Sequence, residues 1–285
     1  MPSSAWACGL VLAVTLLALA GCGLRGEEDR RPLIAVSVPP QSELVRAVAG
    51  PGFRVVTLLP PGANPATYAP TLAERLAVAE AALLVEVGHP GLPFERVWIA
   101  SLIADRPQLP VVRMLPAEAK PEAEGDPHLW TDPQQMGALA RRLAAALQAG
   151  WPADAAGFGE RLARFEDELA QLDRELREIL APVRGRRFYV FHPAWGPFAR
   201  AYGLEQVAIE HEHKEPGPRE LSRVIERARA DHVRVIFVQP QFDPASARVV
   251  AEAIGAKMEV LDPLAPDWAE NLRRVARQLR EALLP

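Results

Sequence analysis

Three side chains that bind metals stand at comparable places along the chain. His128 lies in the segment Asp-Pro-His-Leu-Trp-Thr-Asp-Pro, while His192 and Asp262 each directly follow a short apolar run, and a proline adjoins each of the three. Imidazole nitrogen and carboxylate oxygen are ligands of zinc in proteins, and the prolines stiffen the backbone that presents them. Taken singly, these residues also read as a loop histidine, a core histidine and a helix cap. Their shared placement favours a site for a divalent transition metal.

Four other histidines are weaker candidates. His89, in Val-Gly-His-Pro-Gly, also follows an apolar run and could reach the same cleft, although a loop role explains it equally well. His211 and His213 alternate with Glu210 and Glu212 in a polar loop, where they are either solvated or weak collectors of metal. His232 stands between a helical pattern and an apolar run, which indicates a structural role.

The elements that must position these residues alternate between short apolar runs and helical patterns from residue 32 onward. This alternation predicts an α/β fold: two lobes, each with a mostly parallel sheet. Because ligands bind at the carboxyl ends of parallel strands, His192 and Asp262 are expected at the cleft. The predicted strands are 33–38, 54–59, 82–87, 111–114, 187–191, 206–209, 233–238 and 257–261. The predicted helices are 41–49, 71–81, 93–104, 134–148, 153–180, 195–202, 219–230, 244–254 and 268–284.

One predicted helix differs from the others in length and composition. Residues 153–180 contain no proline and carry apolar residues at steps of three and four, as in Phe158, Leu162, Phe165 and Leu169. At 1.5 Å per residue this helix is roughly 40 Å long, enough to join two lobes. An exposed coiled-coil stalk is the alternative. We predict a rigid linker helix at 152–182 between an N-terminal lobe at 32–151 and a C-terminal lobe at 183–285.

The first residues have the pattern of an export signal. Residues 10–20 are apolar but too few to span a bilayer, and Leu-Ala-Gly-Cys at 19–22 resembles a bacterial lipobox. We predict a lipoprotein signal peptide at 1–21, lipid modification of Cys22, and a flexible tether at 22–31. No Lys or Arg precedes the apolar run, which is unusual for such a signal.

Charge and cysteine content exclude some partners. The net charge is −4 and the isoelectric point is near 5.9, so nothing indicates a nucleic-acid partner. After cleavage Cys22 would be the only cysteine, which rules out an intramolecular disulfide. We expect a monomer that contacts the membrane through its lipid anchor only.

Several motifs together make the chain similar to a known family. It resembles the zinc- and manganese-binding solute-binding proteins of bacterial ABC transporters, the class with a rigid helical linker. The motifs are residues 126–133, Phe-His-Pro-Ala-Trp at 191–195, Lys-Glu-Pro-Gly-Pro at 214–218, Gln-Pro-Gln-Phe at 239–242 and Leu-Asp-Pro-Leu at 261–264. The resemblance implies a periplasmic or cell-surface receptor that delivers a metal ion to a membrane permease. It also implies that His128, His192 and Asp262 are ligands.

The chain departs from that family at one expected ligand. The family usually has a histidine in a Pro-His-x-Tyr context, and here the segment is Pro-Ala-Thr-Tyr, with Ala66 in the histidine's place. Three outcomes follow: His89 replaces the ligand, water completes an open and weaker site, or the protein binds something other than a bare metal ion. Histidine at position 192 resembles the zinc-type members, and a nitrogen-rich ligand set favours zinc over manganese.

Two other kinds of function stay open on the sequence. Three protein ligands and an open position also describe catalytic zinc, which would make the protein a metallohydrolase. Against this, Glu210 or Glu212 would have to act as general base, and the sequence connects neither to the cleft. The remaining alternative is the same fold with a different ligand or an adhesive surface role.

Overall fold

Two four-stranded parallel sheets organise the structure, a computed structural model that describes residues 29–115, 125–210 and 216–284. The first lobe has the strand order β2-β1-β3-β4 and the second the order β6-β5-β7-β8. The predicted fold of two parallel-sheet lobes is therefore confirmed. The strands are β1 (Leu33–Val36), β2 (Arg54–Thr57), β3 (Leu83–Glu86), β4 (Val111–Arg113), β5 (Arg187–Val190), β6 (Glu205–Ala208), β7 (Val235–Val238) and β8 (Lys257–Val260).

Each sheet contains a point where the chain changes direction across it. From β1 the chain crosses to β2 on one side and then to β3 on the other, and β5, β6 and β7 repeat this path. A crevice forms at the carboxyl ends of strands at such a switch point, and ligands bind there in open α/β sheets. The ends of β1 and β3, and those of β5 and β7, are therefore the places to look for a site.

Helices cover both sheets and agree with the sequence pattern to within a few residues. Asp132 caps one of them by accepting a hydrogen bond from Gln134 N at 2.9 Å. The helices are α1 (Gln41–Ala49), α2 (Leu72–Glu80), α3 (Ala100–Ala104) after a π-helical turn at Glu95–Ile99, α4 (Pro133–Gly150), α5 (Ala155–Leu180), α6 (Gly196–Tyr202), α7 (Pro218–Ala230), α8 (Ala245–Ile254) and α9 (Trp268–Leu283).

Several strands end earlier than their apolar runs predicted. Val38, Val87 and Leu261 lie past the last paired residue of their strands, yet each is at most 1% exposed. The apolar run therefore continues into turns that are buried between the lobes, because that region is shielded from water by both sheets.

Helix α5 is the predicted link between the lobes. Its apolar stripe is buried, including Phe158, Phe165, Leu169 and Leu172, and it packs against α1, α4 and α9. One continuous hydrophobic core includes residues of both lobes and of this helix. The helix is thus a packed spine, whereas the boundaries 32–151, 152–182 and 183–285 stay a prediction.

Two tryptophans connect the lobes beside the predicted ligands. Trp130, 1% exposed, donates from Nε1 to the carbonyl oxygen of Pro263 at 2.7 Å, and Trp268 donates from Nε1 to the carbonyl oxygen of Trp130 at 2.7 Å. These bonds tie the turn after β8 to the segment that carries His128.

The described chain from Pro32 onward forms one compact unit. The predicted signal peptide and Cys22 lie outside the described residues. In the part of the chain that the structure describes, no helix combines the length and apolar character needed to cross a bilayer.

Candidate metal centre

His128 and His192 meet between the lobes, with their rings nearly perpendicular. Their Nε2 atoms are 3.3 Å apart, and the residues are only 8% and 5% exposed. His192 follows β5 at the switch point of the second sheet, as predicted. His128 comes from the segment after the first sheet, just before a 3₁₀ turn at Leu129–Thr131.

Asp126 fixes the orientation of the His128 ring. Its Oδ1 accepts from the backbone N–H of His128 at 2.9 Å and lies 2.8 Å from His128 Nδ1. Burial would raise the pKa of Asp126, but the hydrogen bonds and the charge of His128 hold that pKa below its usual range. The carboxylate therefore stays ionised and accepts the proton of Nδ1. In the neutral form of His128 this leaves the lone pair on Nε2.

His192 is held in an equivalent way by the second lobe. Its Nδ1 lies 3.2 Å from Oε2 of Glu210, a residue 4% exposed, and its ring stacks on Phe242 with centroids 4.4 Å apart. Burial lowers the pKa of His192, although Glu210 opposes that shift. The ring is thus neutral near pH 7, with the proton on Nδ1 facing Glu210.

Two imidazole nitrogens at this distance are close enough to bind one cation together. When both rings are neutral and both Nδ1 atoms donate to carboxylates, each Nε2 carries a lone pair that a cation can accept. Two nitrogens bound at about 2.0–2.1 Å to a tetrahedral zinc lie about 3.3 Å apart, which is the separation seen here. A carboxylate behind each imidazole is the usual support of a metal-binding histidine.

The cavity at this pair is small. It has a volume of about 20 Å³, and a cavity needs roughly 10–15 Å³ to hold one water molecule. The space therefore suits a single ion or water and not an organic substrate. Its lining includes both histidines together with Ala66, Gln241, Phe242 and Leu264.

Asp262 does not join the two histidines in this arrangement. Its Oδ1 accepts from Gln241 Nε2 at 2.7 Å and from Leu264 N at 2.9 Å, and the residue is absent from the cavity lining. Among the described residues, no three His, Cys, Asp or Glu side chains are grouped closely enough to hold an ion. Two of the three predicted ligands are thus brought together, and the third lies one residue from the cavity wall.

The first lobe offers little in place of the missing histidine. Ala66 lines the cavity, so a longer side chain there would enter it. His89 is buried, and its Nδ1 accepts from Gly91 N at 2.9 Å. Burial lowers the pKa of His89, so the ring is neutral and its proton sits on Nε2. In this tautomer neither nitrogen has a lone pair left for a metal.

Three residues important to the site were not identified as such from the sequence. Asp126 and Glu210 support the two imidazoles, and Gln241 lines the cavity and holds Asp262. The sequence gives one indication of the role of Glu210. This residue lies just beyond the end of β6, the strand that pairs with β5 in the sheet. His211 and His213 lie outside the described residues.

A larger depression of about 470 Å³ lies at the amino ends of the second lobe's strands. Three of its charged side chains are paired with each other: Arg187 contacts Glu205 at 2.8 Å and Asp231 at 3.2 Å. Ligands bind at the opposite, carboxyl edge of parallel sheets. We therefore assign the site to the smaller cavity, where the histidines are.

Comparison with known proteins identifies a matching family and a similar solved structure. The model of a protein family described as "Zinc-uptake complex component A periplasmic" matches residues 34–282. A crystal structure of ZnuA superposes with a TM-score of 0.84 at 35% identity, covering 89% of this chain and 99% of that one.

Two curated relatives match over different stretches. The high-affinity zinc uptake system protein ZnuA of Brucella abortus is 29% identical over 170 residues, covering 56% of this chain and 51% of the relative. The zinc-binding lipoprotein AdcA of Streptococcus pneumoniae is 24% identical over 276 residues, covering 90% of this chain and 54% of the relative. The chain thus spans about half the length of these two relatives.

Proposed function

This chain belongs to the family of periplasmic zinc-uptake complex components, and from that premise we propose that it captures a divalent metal ion for import. The preferred ion is zinc, and the chain delivers it to the membrane permease of an ABC transporter. The relatives named as zinc-uptake and zinc-binding proteins support this choice.

The observation that carries the proposal is the pair of facing imidazoles. His128 and His192 place their Nε2 atoms 3.3 Å apart, and a carboxylate contacts the Nδ1 atom of each ring. One comes from each side of the cleft, so an ion bound by both would bridge the two lobes. Their nitrogen chemistry favours zinc, while an oxygen-rich remainder of the site would leave manganese as a weaker competitor.

The proposed ligands are His128, His192 and Asp262, with His89 as the candidate substitute for the histidine that Ala66 replaces. Asp262 would need only a local shift, since its neighbours Pro263 and Leu264 already line the cavity. Before a nitrogen of His89 could bind the metal, the ring would have to lose the hydrogen bond from Gly91 N or change its tautomer.

We infer a binding protein and not an enzyme. A cavity of about 20 Å³ is far below the roughly 300–1,000 Å³ of pockets that hold small molecules. Glu210, the general base that a hydrolase would need, contacts His192 at Nδ1, on the side of the ring away from the cavity. It orients a ligand and does not face a metal-bound water.

The cellular setting follows from the sequence and the family. We propose an extracytoplasmic lipoprotein, anchored through Cys22 after removal of residues 1–21, that acts as a monomer without nucleic-acid partners. The Leu-Ala-Gly-Cys motif supports the anchor, and the pneumococcal relative is itself named a lipoprotein.

A second candidate function rests on Ala66. Because this residue lines the cavity without offering a ligand, the same fold could serve a different ligand. Calorimetric titration of the metal-free protein with zinc, manganese and magnesium separates the two. We expect one zinc per chain, bound more tightly than manganese, and no binding of magnesium; absence of zinc binding would favour the second candidate.

A further inference from the structure

Gln241 presents an oxygen atom with no partner at the edge of the metal cavity. The residue is 8% exposed and lines the cavity beside His128, His192 and Ala66. Its Nε2 donates to Asp262 Oδ1 at 2.7 Å, so the other end of the amide, Oε1, faces away from that carboxylate. Within the described part of the chain, Oε1 is buried and receives no hydrogen bond.

A buried carbonyl oxygen without a donor is costly, by about 1–3 kcal/mol, and calls for an explanation. A water or an ion in the cavity would provide one. The carboxylate on Nε2 fixes which end of the amide is which, because only the NH₂ group can donate to Asp262. The lone pairs of Oε1 are therefore available to a hydrogen-bond donor or to a cation.

Resting on the proposed function, we propose that the amide oxygen of Gln241 is a direct contact of the bound ion. It would take the place in the donor set that is left open by Ala66. The resulting set has two imidazole nitrogens and two oxygens, from Asp262 and Gln241. Amide oxygen is a harder ligand than imidazole, so this set discriminates less between zinc and manganese than one with a third histidine.

The main competing role for Gln241 is to orient Asp262 through Nε2. A double-mutant cycle separates the two roles, because an effect transmitted through Asp262 disappears once Asp262 is removed. Zinc affinity is measured by calorimetry on the purified protein for wild type, Gln241→Leu, Asp262→Ala and the double variant. Cobalt-loaded samples are compared by visible absorption, which reports the ligands around the ion.

We expect Gln241→Leu to weaken zinc binding by about tenfold or more, and to do so also in the Asp262→Ala background. The cobalt spectrum should change in both backgrounds. Gln41→Leu is the matched control: Gln41 is a fully buried amide whose unpartnered atom, within the described residues, is the donor Nε2, and it lies outside the cavity lining. It should leave zinc affinity and the cobalt spectrum unchanged.

The outcomes are distinguishable. If wild type binds zinc and Gln241→Leu matches it, or if the effect vanishes with Asp262→Ala, the inference is wrong while the proposed function stands. If wild type binds no zinc, both are wrong. Should Gln241→Leu fail to fold, Gln241→Asn keeps the amide but withdraws its oxygen by one methylene, and the same tenfold loss is expected.

Discussion

The two lobes share a strand order but fasten the ends of their central strands with different chemistry. In the second lobe, the Gln239 side chain accepts from His192 N at 3.0 Å and donates to His192 O at 2.8 Å. In the first lobe, the Glu95 carboxylate accepts from Ser37 Oγ at 2.5 Å and from Val87 N and Gly88 N, both at 2.7 Å. One clamp is a neutral amide, and the other is an acid.

The two lobes also differ in where their imidazoles come from. The amide clamp holds His192 itself, the second residue after β5. The acid clamp instead holds the turn at Gly88, whose φ of +74° suits glycine, and the next residue, His89, is engaged by Gly91. The imidazole of the first lobe that meets His192 is that of His128, which lies outside the sheet. The same strand order in two lobes therefore does not place metal ligands at equivalent positions.

The strongest test of this comparison removes each imidazole in turn. His128→Ala and His192→Ala should each weaken zinc binding by at least about 100-fold, since loss of even a supporting group typically costs 10–100-fold. Calorimetric titration measures both. His232→Asn is the control, because His232 is remote from the cavity and asparagine tolerates its φ of +52°. Retention of affinity within tenfold in either variant would contradict the pairing of the lobes.

A second test asks whether residues that follow strands of the first lobe can be made to contribute a ligand to the metal site. Ala66→His should tighten zinc binding by about tenfold or more, because it adds a nitrogen at the cavity wall. His89→Ala should change the affinity by less than about threefold, well under the 1.4 kcal/mol of a tenfold change. A tenfold loss in His89→Ala would instead make His89 the substitute ligand and the two lobes more alike.

Gly196 offers a test of the support behind His128. A Cβ at this position would lie 2.2 Å from Asp126 Oδ2, so Gly196→Ala must displace the carboxylate that orients the ring. We expect zinc binding to weaken by about tenfold, the low end for a supporting residue. Gly52→Ala, where a Cβ meets no atom within 4 Å, is the matched control. Equal affinities of the two variants would show that Asp126 does not position His128.

The smallest effect concerns the acid clamp and appears in stability. Burial, and next the charge of Glu86, raise the pKa of Glu95 to about 7, although its three hydrogen bonds oppose the rise. An unfolded glutamate titrates near pH 4.3, so the stability from Glu95 is complete below that pH and is lost as pH rises to about 7.

The variant Glu95→Gln lacks this titration. As pH rises from 5 to 7, the wild type should therefore lose stability relative to Glu95→Gln. Urea unfolding at several pH values would measure this difference. Glu80→Gln, at an exposed position, should show no such trend relative to wild type. A constant difference between wild type and Glu95→Gln across this range would mean that Glu95 does not titrate there.

Much of this architecture could be predicted from the sequence. Alternating apolar runs and helical patterns gave the order of strands and helices, and the stripe at Phe158, Phe165 and Leu169 gave the linker helix. The placement of His192 after a strand was enough to predict its position at the cleft. Local patterns succeed here because strand pairing and helix burial leave periodic traces in the chain.

The supporting contacts left no such trace. Glu210 and His192 are joined across neighbouring strands, and Gln241 and Asp262 across the next pair. Such contacts depend on sheet register and side-chain rotamers, which are set by tertiary packing. The same holds for Gly196, whose need for glycine arises from Asp126, 70 positions earlier in the chain.

The central claim is that one zinc ion lies between His128 and His192. Crystals of the zinc-loaded protein, measured at the zinc absorption edge, would locate the ion by its anomalous scattering. We predict one strong peak within about 2.0–2.1 Å of both Nε2 atoms, next to the Gln241 and Asp262 side chains. A peak elsewhere, or a zinc-soaked crystal with no peak between the two imidazoles, would contradict the account.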